Sequence, residues 1–369
     1  MDSLLSYIVW DPARTIFTIP GLDRPVVWYG VLFALGFFIS QQILFRMFRA
    51  EGKPEKDVEI LTVYMIIATV IGARLGHVFF YEPAKYLANP IDIIKIWEGG
   101  LASHGATIAI LIALYMYSRK KADQSYFWVL DRLVIVVAIT GALIRFGNFT
   151  NSEIIGTPSH SNYGVVFARS VETQLESDSR GVIENAEASK SNHEVSEGYV
   201  PIKMTLTFAK KNYEEEKLKG YIENNLASLL VNYSDWHEPH IYFGENETLQ
   251  YDLSKNKGVY EANLFLSGVS RHPGQLYESL GCIVIFILLF TLWYKKRDQL
   301  QEGTIFAIFL IILFGLRFIY EFFKENQAAF EEEIPLNMGQ WLSLPLIAAG
   351  IIILISLQLK KNKSQGTGS

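Results

Sequence analysis

The stretch "IRFGNFTNSEIIG", residues 144–156, sets Arg145, Asn148, Asn151 and Glu153 directly after the apolar run "RLVIVVAITGALI". A guanidinium stays charged and meets phosphate through two parallel hydrogen bonds, so an arginine where an apolar segment ends suits a phospholipid head group. Asn148, Asn151 and Glu153 can bond such a head group or hold the arginine. Other ionisable groups also fall near the ends of apolar segments. Arg74 and His77 stand in "IGARLGHVFFY", and His104 in "WEGGLASHGA". Arg271, His272 and Glu278 stand in "SRHPGQLYES", Arg317 and Glu321 in "FGLRFIYEFF". An ionisable group inside a membrane span costs about 2.5–3.5 kcal/mol on insertion scales unless it is paired or solvated, so each calls for a reason.

Structural reasons stand beside the chemical ones. Arg317 and Glu321, four apart on one helix face, can pair with each other. His77 can be a packing histidine, Glu278 a local cap, and Arg74 an anchor to lipid phosphate or a cap for a neighbouring helix. His104 lies among glycines, where backbone or ligand comes close, and a neutral imidazole can take or give a proton near pH 7. No second histidine stands at metal-ligand spacing and the chain has one cysteine, Cys282, so neither a metal site nor an internal disulfide is expected.

The elements that must position these groups are apolar blocks long enough to cross a bilayer as helices, about 20 residues each. They cover about 26–45, 58–81, 101–118, 126–147, 275–294, 303–323 and 338–359. Basic residues flank alternate ends: Arg46, Arg49, Lys53 and Lys56; Arg119, Lys120 and Lys121; Lys295, Lys296 and Arg297; Lys360, Lys361 and Lys363. The opposite short loops hold Lys85, Lys95 and Lys324. By the positive-inside rule the odd spans end in the cytoplasm. The expected fold is an α-helical polytopic membrane protein with seven transmembrane helices, N-terminus out and C-terminus in.

Residues 157–270 carry 17 acids against 10 bases, which places the negative charge of a −5 chain in one outer segment. Its "YVPIKMTLTFAKK" alternates like a strand, as do "PHIYFG" and "GVYEANLFLSG", and "NYEEEKLKGYIENNLASLLVNY" has helical spacing. A small α+β extracytoplasmic domain between helices four and five is expected, with the polar stretch 176–197 as a loose loop. The domain plan is 1–156 membrane, 157–270 outer domain, 271–359 membrane and 360–369 cytoplasmic tail. The N-terminus lacks the basic region of a cleavable signal peptide, and the terminal "SQGTGS" reads as an expression remnant. The acidic balance argues against a nucleic-acid partner. A transporter needs polar groups at midplane and inner depth, whereas these cluster toward one face. A lipid-binding scaffold needs no proton-transfer group beside the phosphate.

These stretches together resemble the phosphatidylglycerol–prolipoprotein diacylglyceryl transferase family of bacteria. "RFGNFTNSEIIG" is similar to that family's Arg-x-Gly-Asn-Phe-x-Asn-x-Glu-x-x-Gly, with Arg145, Gly147, Asn148, Phe149, Asn151, Glu153 and Gly156 in register. "WYG" with Tyr29, "GARLGHVFFY", "WEGGLASHG", "RHPGQLYE", "LRFIYEFF" and "NMGQWLS" resemble its other motifs in order. The chain departs from the pattern at Ile144, at Ala106 after His104-Gly105, and at Ala73 and His77 around Arg74, and its outer domain is longer. The resemblance implies transfer of diacylglycerol from phosphatidylglycerol to the lipobox cysteine thiol of a prolipoprotein signal peptide, without cofactor, at the outer leaflet of the bacterial inner membrane. It implies His104, Arg145 and Arg271 as catalytic groups. Arg145 and Arg271 clamp the phosphate with Asn148, and His104 or its rival Glu153 takes the thiol proton. Tyr29, Arg74, Asn148, Asn151, Glu153 and Gly156 are the expected substrate-binding residues, with Gly147 and Gly156 giving the backbone room to bend around the head group.

Overall fold

The computed structural model describes residues 7–13, 15–21, 24–96, 99–211, 213–235, 239–244, 247–325 and 335–366. Trp97 and Glu98 of the "WEGG" stretch, the first six residues and the last three lie outside them. The chain forms two compact units, one of Leu32–Ile144, Ser279–Phe318 and Met338–Ser369, the other of Met1–Val31, Arg145–Glu278 and Ile319–Asn337.

The helices run β-hairpin first. Strands β1 (Ile8–Trp10), β2 (Thr15–Ile19) and β3 (Arg24–Val27) lead into α1 (Trp28–Ala50), α2 (Glu55–Phe80) and the short α3 (Pro83–Ala88). Then come α4 (Ser103–Ser118) and α5 (Tyr126–Thr150). Six described helices are long and apolar enough to cross a membrane: α1, α2, α5 and three that follow residue 270. The helix expected at 101–118 is only 16 residues long. At about 1.5 Å per residue it falls short of a bilayer core of about 30 Å.

The first unit is held by apolar packing around Phe48, Leu61, Leu114, Ile135, Leu289 and Trp293, all at most 1% exposed. Helices α2 and α4 approach closely because Gly72 and Gly76, one turn apart, face Gly105. A Cβ on any of the three would run into the opposing backbone. Such small-residue seams let helices pack where lipid offers no hydrophobic drive. Asp131 and Arg132 in the early turns of α5 are buried too, and they escaped the inventory of ionisable groups. Their needs are met locally. Asp131 accepts from the backbone N–H of Gly303 and Phe306 at 2.8 Å each, capping a helix start, and Arg132 donates to Glu51.

The second unit contains the α+β part. Strand β4 (Val165–Phe167) pairs in parallel with β1. Helix α6 (Arg169–Asp178) and β5 (Ile183–Lys190) follow, so within the loose loop expected over 176–197 the parts 176–178 and 183–190 are helix and strand. Its apolar signal was thin because the buried apolar residues are only Val171 and Leu175 on α6, and Ile183 and Ala186 on β5. Next come β6 (Val200–Phe208), α7 (Glu215–Gly220), a π-helical turn at Tyr221–Leu226 and α8 (Ala227–Ser234). Strands β7 (Ile241–Tyr242), β8 (Gln250–Asn256) and β9 (Val259–Gly268) complete the sheet, in the order β5-β6-β9-β7 with β8 also on β9. Strict alternation in β6 puts Ile202, Met204, Leu206 and Phe208 fully into the core against α6, α7 and α8. The chain ends with α9 (Gly274–Lys296), α10 (Thr304–Tyr320) and α11 (Met338–Gly366).

Candidate functional site

Arg145 to Thr150 form the last turns of α5, and the chain then turns sharply. The turn closes through Asn151 N to Gly147 O at 3.1 Å and Glu153 N to Asn148 O at 3.0 Å. Ser152 and Ile154 adopt left-handed backbone, φ 55° and 57°. Neither is glycine and isoleucine is β-branched, so this conformation is strained by about 1–3 kcal/mol per residue and must be held from outside. The Gln275 amide donates to Glu153 O at 2.6 Å, and the Trp10 indole donates to Phe149 O at 3.0 Å while stacking on the Phe149 ring. Glu153, between the strained residues, accepts from the amides of Asn148 at 3.4 Å and Asn151 at 3.2 Å. The Tyr29 ring packs on Gly147, and its hydroxyl lies in the field of Glu153 and Arg145.

Charge continues from this turn in alternating sign. Arg145 pairs with Glu278, Glu278 with Lys324, and Lys324 with Glu321 at 3.2 Å. The Asn337 amide donates to Glu321 at 3.3 Å. Side-chain exposures are 28% for Arg145 against 8% for Glu278, 5% for Lys324 and 9% for Glu321, so only the Arg145 end opens outward. Here a phosphate oxygen can reach a guanidinium without breaking into the core.

Arg271 is different. It is fully buried, and its guanidinium donates to Pro239 O at 2.9 and 3.2 Å, to Gly156 O at 3.0 Å and to Glu325 at 2.6 Å. Every side of the Arg271 fork meets protein, which draws Pro239, Gly156 and Glu325 onto one guanidinium. Gly156 lies in the same layer of backbone as Arg271. Residues 156–158 run between 271–272 and 323–324, with a bridge from Gly156 to Lys324 and Thr157 N donating to Phe323 O at 3.0 Å. A Cβ on Gly156 would collide with the carbonyls of His272 and Phe323, so this close backbone approach requires glycine.

His104 and Arg74 belong to the helical unit. His104 is exposed at the start of α4, with the rings of Phe80 and Tyr81 at 5.0 and 5.8 Å, and its nitrogens have no hydrogen bond among the described residues. Arg74 is 3% exposed, lies 4.9 Å from the Tyr86 ring, and donates to the carbonyls of Ile93, Asp92, Gly99 and Gly100. These contacts make Arg74 a backbone clamp on the segment after α3.

Lys324, Glu325 and Gln275 carry weight that sequence reasoning missed. Lys324 had counted only as a loop charge. Its one local signal is Glu321, three residues earlier.

A family described as prolipoprotein diacylglyceryl transferase matches residues 14–356. Among curated proteins, one from Tolumonas auensis is 34% identical over 89% of this chain and 90% of its own length. Another from Chloroherpeton thalassium is 34% identical over 95% and 94%, and one from Porphyromonas gingivalis is 35% identical over 96% and 95%. Each is named phosphatidylglycerol–prolipoprotein diacylglyceryl transferase.

Proposed function

The chain belongs to the prolipoprotein diacylglyceryl transferase family, and from that premise we propose that it catalyses the first step of lipoprotein maturation. It moves diacylglycerol from phosphatidylglycerol to a prolipoprotein cysteine. The thiol gives up a proton, and the thiolate attacks the glycerol carbon that carries the phosphate ester. A sulfur–carbon bond forms as the carbon–oxygen bond breaks, and glycerol phosphate leaves with the electron pair. Free thiols titrate near pH 8.5, so a base speeds the attack. The leaving phosphate gains charge, which a fixed cation at a dry site stabilises.

Arg145 supplies that cation. The observation carrying this role is its place at the open end of a buried alternating charge chain. Glu153, Asn148 and Asn151 fix the turn that aims it, and Tyr29 bonds the head group. Arg271 acts through position by holding Gly156. His104 is the base: its ring nitrogens have no protein partner among the described residues, whereas Glu153 already accepts from two amides. The enzyme is multi-pass. Seven spans put the N-terminus out and the C-terminus in, at a bacterial inner membrane, with 157–270 as the outer domain, 1–156 and 271–359 as membrane parts and 360–369 as a cytoplasmic tail. The acceptor is a signal peptide whose lipobox cysteine enters sideways through the bilayer.

Purified protein in micelles containing phosphatidylglycerol, given a lipobox peptide, should yield a thioether-linked product and equimolar glycerol phosphate. Consumption of neither substrate would refute the reaction. His104→Gln should lose at least a hundredfold in turnover, as general-base removal does. Near-normal turnover across pH would remove it as the base.

A further inference from the structure

Glu278 is shared. One oxygen meets Arg145 and the other Lys324, and the carboxylate is 8% exposed. If a lipid phosphate takes Arg145, Glu278 loses that partner while still buried. A buried charge stripped of its partner is strongly destabilising, so donor binding at Arg145 is opposed unless a second cation stays behind. Lys324 is placed to be that cation. It is itself 5% exposed, its backbone is bridged to Gly156 of the signature turn, and Glu321 backs its ammonium. Glu321 in turn holds the Asn337 amide, so the far end of the chain does not need Arg145.

Resting on the transferase reading above, we propose that Lys324 is a positioning residue for the lipid phosphate: it retains Glu278 when Arg145 passes from that carboxylate to the donor. The exchange leaves Glu278 with one cation and the phosphate with the other. Without Lys324, Arg145 is the sole counter-ion of Glu278 among the described residues, and carboxylate and phosphate compete for one guanidinium.

The test compares four variants in the micelle assay. Lys324→Met should raise KM for phosphatidylglycerol about tenfold or more, leave KM for the lipobox peptide unchanged and keep kcat within about threefold, the pattern of lost ground-state binding. Lys324→Arg should behave as wild type. Lys324→Met with Glu321→Gln restores the buried charge count, so its thermal midpoint should recover, yet its donor KM should stay high. Lys324→Met with Glu278→Gln removes the competing carboxylate, so its donor KM should fall back toward wild type. Donor KM that follows thermal stability through the set, or that is unmoved in Lys324→Met, would overturn the proposal. Wild-type protein that forms no thioether product would instead defeat the transferase reading itself, so the two failures are distinct.

Discussion

Arg145 and Arg271 carry the same guanidinium in nearly opposite surroundings. Arg145 has one carboxylate partner among the described residues and an exposed edge, whereas Arg271 is enclosed by two carbonyls and Glu325. Substitution should separate them. Arg145→Lys keeps the charge but loses the planar fork, so kcat/KM for phosphatidylglycerol should fall at least tenfold, about 1.4 kcal/mol, with little change in thermal midpoint. A lysine variant with wild-type kcat/KM would show that no bidentate contact is made. Arg271→Lys should do the reverse in kind, lowering the thermal midpoint in detergent, because a lysine cannot satisfy Pro239, Gly156 and Glu325 together. An unchanged midpoint would contradict the role of holding Gly156. The sequence marked both arginines as unusual, since each sits at the end of an apolar block. It could not rank them, because what distinguishes Arg271 is contributed by Pro239 and Glu325, 32 and 54 positions away.

At the scale of elements, the long apolar helices and the alternating strands β6 and β9 were legible because their patterns are strong and local. Helix α6 and strand β5 were not, since their polar faces outnumber the few core contacts, and the pairing of β1 with β4 joins residues more than 150 positions apart. Arg74 shows how a side chain can make an element. It ties the carbonyls of 92, 93, 99 and 100, in and after the short 3-10 turn at Pro90–Ile94, to α2. Arg74→Met should loosen that segment and speed tryptic cleavage after Lys95 at least tenfold; cleavage at the wild-type rate would mean that the segment holds itself. The α+β domain makes a pH prediction. Burial, and then the nearby charge of Arg271, push His240 down to about 3 from 6.5. Between those values the unfolded chain holds a proton that the folded chain does not, so the stabilisation present above pH 6.5 is lost as pH falls toward 3. Glu172 works the other way, because burial raises its carboxyl and its folded form loses stability as pH rises above the usual glutamate range. His240→Phe should therefore flatten the fall in thermal midpoint between pH 6.5 and 4, and parallel curves for the two proteins would assign that fall to other groups.

At the scale of the whole molecule the question is whether α4, 16 residues long, counts as a span. A short helix can still cross by thinning the bilayer locally and letting flanking cations snorkel, at a fraction of a kcal/mol per ångström of mismatch. Arg119, Lys120 and Lys121 follow α4 directly and can serve that purpose. Charge also argues for crossing. With seven spans the basic clusters after α1, α4, α9 and α11 all fall on one side. With six spans and the same start, Arg119–Lys121, Lys295–Arg297 and Lys360–Lys363 change sides, and so does the α+β domain. The two arrangements give mirror-image labelling. In a Cys282→Ala background, Ser196→Cys on the acidic domain should react with a membrane-impermeant maleimide on intact spheroplasts, and Lys361→Cys should react only after permeabilisation. The reverse pattern would place 157–270 in the cytoplasm, away from a signal peptide emerging on the outer face, and would sink both the seven-span topology and the outward-facing active site that depends on it.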